Sequence, residues 1–192
     1  MMVLGQNVKM ALWGLAALLL ASCAETTDVE TGPPEPLGDF KLGFATVFAD
    51  NAEKGPLSRE ATSDELEIGL KAEMDRVFGA YSGSKFYNLA VSVDTYILAV
   101  PGIPLVASPK SALIVSLNVW DDAKNARISE EHKQFTVLEK ITGGSLLLGS
   151  GLTQSKEEQL IGLQKSAVKQ ILAWLQENEH LFAPEAAVAV EG

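Results

Sequence analysis

Cysteine occurs once in the 192 residues, at Cys23, so no disulfide can close within the chain. Histidine occurs only as His132 and His180, and neither has a second histidine or a cysteine at metal-ligand spacing, so no metal site is expected. Basic side chains are also scarce: 15 Lys and Arg stand against 25 Asp and Glu, a formal net charge of −10. A surface of that sign disfavours nucleic acid, and no nucleic-acid partner is expected. Long apolar runs are missing too. The N-terminal stretch Met10 to Leu20 holds 11 residues, too few for the roughly 20 that cross a bilayer.

Catalytic motifs are equally thin. Ser82-Gly83-Ser84-Lys85 has the S-x-x-K spacing of penicillin-recognising enzymes, but the S-D-N and K-T-G that accompany it are missing. The segment GGSLLLGSG, 143–151, is glycine-rich yet has neither the lysine of a phosphate loop nor a G-x-S-x-G elbow. No mechanism can be assembled from these parts, and the sequence reads as a protein that is not an enzyme and carries no cofactor.

What is present begins at the N-terminus. Lys9, the apolar stretch and the small residues after it follow the plan of a secretory signal peptide. Leu20-Ala21-Ser22-Cys23 resembles the bacterial lipobox, in which lipoprotein signal peptidase cuts before a cysteine whose sulfur has received a diacylglycerol. The resemblance implies that residues 1–22 are removed and that Cys23 carries lipid. Several acyl chains on one residue anchor firmly, where a single chain holds only marginally. A mature chain without another cysteine also suits an oxidising periplasm. Ala24, where aspartate would signal retention, points by the same resemblance to the periplasmic face of the outer membrane. The plainer alternative is an ordinary signal-peptidase site with Cys23 as a chance thiol.

Processing before Cys23 removes one base, Lys9, leaving 25 acidic and 14 basic side chains and a net charge of −11. Residues 23–38 are acidic, rich in proline and glycine, and poor in anything to bury, so they read as a lipidated disordered tether. Residues 39–183 read as one periplasmic domain and 184–192 as a flexible tail.

Within the domain, Asp39 to Ala49 is β-prone, with Phe40, Leu42, Phe44 and Thr46 sharing a face. Thr62-Ser63-Asp64-Glu65 is a capping box that opens a helix with Leu66, Leu70, Met74, Val77, Phe78 and Tyr81 inward and Gly83 as its stop. Alternation over Lys85 to Val100 predicts a strand, and residues 111–140 a β-hairpin turning at Asp122 to Asn125. A second box, Ser155 to Glu158, opens a last helix with Leu160, Leu163, Ala167, Ile171, Trp174 and Leu175 inward. The fold class is α+β, in the order β-α-β-β-β-α. The expected architecture is an antiparallel four-stranded sheet with both helices on one face. Trp120, Trp174 and the phenylalanines read as core.

The hairpin ALIVSLNVWDDAKNARI, the glycine-rich TGGSLLLGSG and the closing AVKQILAWLQEN resemble the small α/β lipoprotein domains of unknown function in Gram-negative envelopes. Related layouts occur in auxiliary lipoproteins of ABC-type lipid transport systems and in the curli secretion lipoprotein. The resemblance implies an accessory envelope role and transfers no functional residue.

Two functions stay open: a lipid-anchored interaction module that docks on an envelope protein or transport complex, and a lipoprotein that binds a lipid or other apolar ligand. For the first, Ile103, Leu105 and Val106 form a candidate partner-docking loop. They sit in AVPGIPLVASPK, where Pro101, Pro104 and Pro109 limit collapse inward and lower the entropy lost when a partner orders the loop; the alternative is a loop folded back over the end of the sheet to cover the core. Leu146, Leu147, Leu148 and Leu152 read either as core or as an apolar flap.

Overall fold

In the computed structural model, which describes residues 35–100, 110–128, 131–139 and 154–183, both capping boxes form. Glu65 N donates to Thr62 Oγ1 at 3.2 Å and Thr62 N to a Glu65 carboxylate oxygen at 2.8 Å, opening α1, Ser63–Phe78. Ser155 and Glu158 repeat the exchange at 3.1 and 2.7 Å, opening α2, Lys156–Glu177. Helix α1 ends at Phe78 with Gly79 as its cap, so Tyr81 and Gly83 lie beyond it. Gly83 instead permits a close backbone approach, since a Cβ there would lie 2.4 Å from the carbonyl carbon of Asp39 and 2.5 Å from the carbonyl oxygen of Phe40. Only glycine lets the chain pass so close to the first strand.

Six strand segments make one sheet: β1, Phe40–Phe48; β2, Glu53–Lys54; β3, Lys85–Ile97; β4, Ala112–Asp121; β5, Ala126–Arg127; and β6, Lys133–Leu138. They occupy four lanes, because β1 and β2 both pair with one side of β3, while β5 and β6 both pair with the far side of β4. Along the chain the expected order β-α-β-β-β-α gains two short strands, β2 and β5, and the sheet is six-stranded and mixed, not four-stranded and antiparallel. β3 lies antiparallel to β4, and β4 to β5 and β6, whereas β1 and β2 run parallel to β3. The reason is α1: a helix between two adjacent strands carries the chain back to the end from which it started, so the second strand runs in the direction of the first.

Bulges decide which side chains enter the core. In β1 the register shifts between Leu42 and Ala45. Phe40 is buried, but beyond the shift Ala45, Val47 and Ala49 point inward, and Phe44 and Phe48 are 57% and 54% exposed. The single face expected for Phe40, Leu42, Phe44 and Thr46 is thus broken, because two residues opposite one reverse a period-two pattern. Asn88 sustains the bulge, accepting from Phe44 N and donating to Asp122 Oδ1, both at 3.1 Å.

Helix α1 lies against β1, α2 against β4 and β6, and the helices against each other. Leu70, Met74, Phe78, Leu89, Val91, Val115, Ala167, Ile171 and Leu175 have no exposed surface, and all belong to one apolar cluster. An aromatic group closes one end: Phe40 stacks on Tyr87 at 5.5 Å, and Phe182 meets both edge-on at 5.3 and 4.9 Å. Leu37, which by sequence belongs to the tether, is buried there as well. Among the described residues no helix is long and apolar enough to cross a membrane.

Candidate docking surface

One face of the sheet takes both helices; the other takes no described element, and its side chains follow from strand alternation. Next to inward Tyr87 and Val119, Phe86 and Trp120 point outward, 46% and 39% exposed. They join Phe44 and Phe48. Cross-strand register builds rows over this face: Lys41 beside Phe86, Asn88 beside Trp120, Trp120 beside Arg127, and Ser92 between Phe48 and Ser116. Lys41 Nζ stands 4.7 Å above the Phe86 ring, within the range of a cation–π contact. Arg127 reaches back to Asn118 Oδ1 at 3.4 Å. Farther along the strands, Asp94 occupies a second bulge and accepts from Ser116 Oγ at 2.6 Å and from Gln134 Nε2 at 3.0 Å.

Trp120, expected in the core, is a surface residue. Trp174 is half-buried, edge-on to Phe135 at 6.4 Å. An apolar strand flanked by alternating residues does not announce which of its two faces will be covered. The pairing of Val119 with Leu89 inward leaves Trp120 outward.

The carboxylates at the end where β1 begins are engaged. Asp39 accepts from both the backbone and the hydroxyl of Ser84 at 2.6 Å, and these bonds, the hydroxyl's first, hold its carboxyl below the ordinary value. Asp121 accepts from Lys124 N at 3.1 Å and Asp122 from Asn88. Burial raises the Tyr87 hydroxyl above its ordinary value, with Asp121 and Asp39 adding to the effect.

At the opposite end of the sheet, segments 101–109 and 140–153 leave the described structure beside one polar junction. Buried Ser111 accepts from Ala99 N through its hydroxyl at 3.1 Å and from Glu139 N through its carbonyl at 2.9 Å. Gln159, 1% exposed, donates to Ala99 O at 3.4 Å.

Ile103, Leu105 and Val106 lie outside the described residues, as do Cys23 and the leucines of 143–152. His132 and His180 are exposed and far apart in the chain, and among the described residues no group of acidic, histidine or cysteine side chains is arranged to hold a metal ion. Ser82 pairs with Lys41 through a backbone bridge and Ser84 with Asp39, so the S-x-x-K stretch serves to fasten the chain to β1. The aromatic face is what sequence reasoning misses. Its only signal is alternation in β3 and β4 that places Phe86 and Trp120 opposite the apolar series.

The fold is thus an α+β domain in which two helices cover one face of a mixed sheet. No family model matches the chain, and neither does any curated protein. Among solved structures it is similar to a Xanthomonas campestris protein of the family DUF330, at 16% identity, covering 78% of this chain and 93% of that one with a TM-score of 0.43. PelC from Paraburkholderia phytofirmans, solved as a dodecamer, is similar at 15% identity over 70% and 95%, with a TM-score of 0.33. A minor lipoprotein from Acinetobacter baumannii is similar at 16% identity over 69% and 94%, with a TM-score of 0.28.

Proposed function

We propose that the protein is a lipid-anchored accessory lipoprotein of the cell envelope, held at the periplasmic face of the outer membrane and acting by docking on a partner protein. The observation that carries this reading is Leu20-Ala21-Ser22-Cys23 at the end of an apolar run, with Cys23 the only cysteine in the chain. The domain's own chemistry supports binding over catalysis. The carboxylates nearest the aromatic face are tied to serine, asparagine or lysine partners. Between helices and sheet, Leu66, Leu70, Met74, Leu163 and Ile171 are at most 2% exposed, which favours a docking module over a groove that holds an apolar ligand.

Metabolic labelling with palmitate tests the anchor. The wild-type chain takes up label, and Cys23→Ser takes up none and accumulates as the longer precursor. Equal labelling of the two would refute the reading.

A further inference from the structure

The open face is not uniform. Its aromatic and cationic residues crowd toward one end, where β1 and β3 begin and β4 finishes. Phe86 lies beside Lys41 in register, Trp120 beside Asn88 and Arg127, and Phe44 on the bulge that Asn88 supports. The whole chain is strongly acidic, and at this end Asp39 accepts from Ser84, Asp121 from the Lys124 amide and Asp122 from Asn88, while Lys41 and Arg127 stand beside the rings in register. Exposed aromatic rings ringed by Lys and Arg match the headgroup layer of a bilayer, where rings sit at the apolar boundary and long basic side chains reach phosphate.

The same end receives the chain from its N-terminal segment. Leu37 is buried against the core, Phe40 N donates to Leu37 O at 3.2 Å, and Asp39 N to Phe182 O at 2.8 Å, so the entry point is fixed to this end of the sheet. Gly38 makes the turn, with φ +54° and room for no Cβ, which would lie 2.8 Å from Phe182 O. Thirteen residues separate Cys23 from Leu37, no more than about 50 Å even when fully extended at ~3.3 Å per residue. A chain anchored at Cys23 therefore holds this end within that distance of lipid at all times, which raises the local concentration of phospholipid at the patch without any long-range attraction.

We propose that Phe44, Phe86 and Trp120, flanked by Lys41 and Arg127, form a lipid-docking patch that seats the domain on the phospholipid surface carrying its anchor. The inference rests on the lipoprotein reading above. Docking fixes the orientation of the domain: the end where β1 begins faces lipid, and the opposite end, from which 101–109 and 140–153 depart, faces the periplasm.

Trp120 reports on this directly. The chain has three tryptophans, Trp13 is lost with residues 1–22, and Trp174→Phe leaves Trp120 alone in the processed protein. The processed, lipidated Trp174→Phe chain is placed in phosphatidylcholine vesicles with and without bromine on the acyl chains, and palmitate on Cys23 is measured in the same preparation. Bromine should weaken Trp120 emission roughly twofold, as for a ring at the headgroup boundary. Lys41→Glu combined with Arg127→Glu should restore it while the urea midpoint stays at the parent value. Palmitate present with equal emission in the two vesicles overturns the patch and leaves the anchor standing. Palmitate absent overturns both.

Discussion

Asn88 carries more of the architecture than its size suggests. Its side chain is the acceptor for the bulge amide at Phe44 and the donor to Asp122, and it is only 9% exposed. The bulge in turn transfers Phe44 and Phe48 from core to surface. Asn88→Ala leaves a sheltered N–H without a partner, which costs about 1 to 3 kcal/mol. Urea unfolding followed by tryptophan emission should show that loss; an unchanged midpoint would mean that solvent reaches the Phe44 amide. No sequence pattern could have marked this residue. Asparagine in a strand reads as a polar surface position until its partners 44 and 34 residues away are known.

Among elements, the two helices are joined at their first turns. Glu65 completes the α1 capping box and also pairs with Lys156 at the start of α2. Gln164 of α2, buried, donates to the carbonyls of Glu65 and Leu66 at 3.0 and 3.3 Å, and Gly69 leaves it room, since a Cβ there would lie 2.3 Å from Gln164 Oε1. Lys156 first, then the Thr62 amide, hold the Glu65 carboxyl below its ordinary 4.5, and Glu65 holds Lys156 above its ordinary 10.5. A carboxylate depressed in the folded state stabilises above its unfolded value and loses that contribution as pH falls through the folded one; a raised lysine stabilises below its unfolded value and loses it as pH rises through the folded one. The pair therefore contributes fully between about pH 4.5 and 10.5. Glu65→Gln should lower the urea midpoint at neutral pH and flatten its fall below pH 4.5. If wild type and variant fall in parallel there, the acid sensitivity originates in other carboxylates. Because the pair is partly exposed, the effect is small and diminishes with salt.

On the scale of the molecule, the two ends of the sheet differ in chemistry. Chain entry and the aromatic face mark one. The polar junction of Ala99, Ser111, Glu139 and Gln159 marks the other, and from it departs the segment containing Ile103, Leu105 and Val106. Proposed as the partner-docking loop, these residues should tolerate charge. Ile103→Asp with Leu105→Asp is expected to leave the thermal midpoint within about a degree or two, as surface substitutions do, and to abolish the main crosslink formed in intact cells. Unfolding of the double variant would assign the loop to the core and move the docking surface elsewhere.

Local signals were sufficient for much of this. Two capping boxes set the helix starts because their hydrogen bonds close within four residues. Turn residues set the hairpin at Asp122 to Asn125, and apolar periodicity chose the inward faces of α1, α2 and β3, since burial repeats every 3.6 or 2 residues whatever the partner. Tertiary structure decided the rest. Parallel pairing of β1 with β3 depends on where α1 delivers the chain, the inward face of β1 on a bulge held by distant Asn88, and the exposure of Phe86 and Trp120 on which side of the sheet the helices cover. Each of these is a long-range choice, made by the cheapest way to bury one shared core, and no window of neighbouring residues contains the energy that makes it.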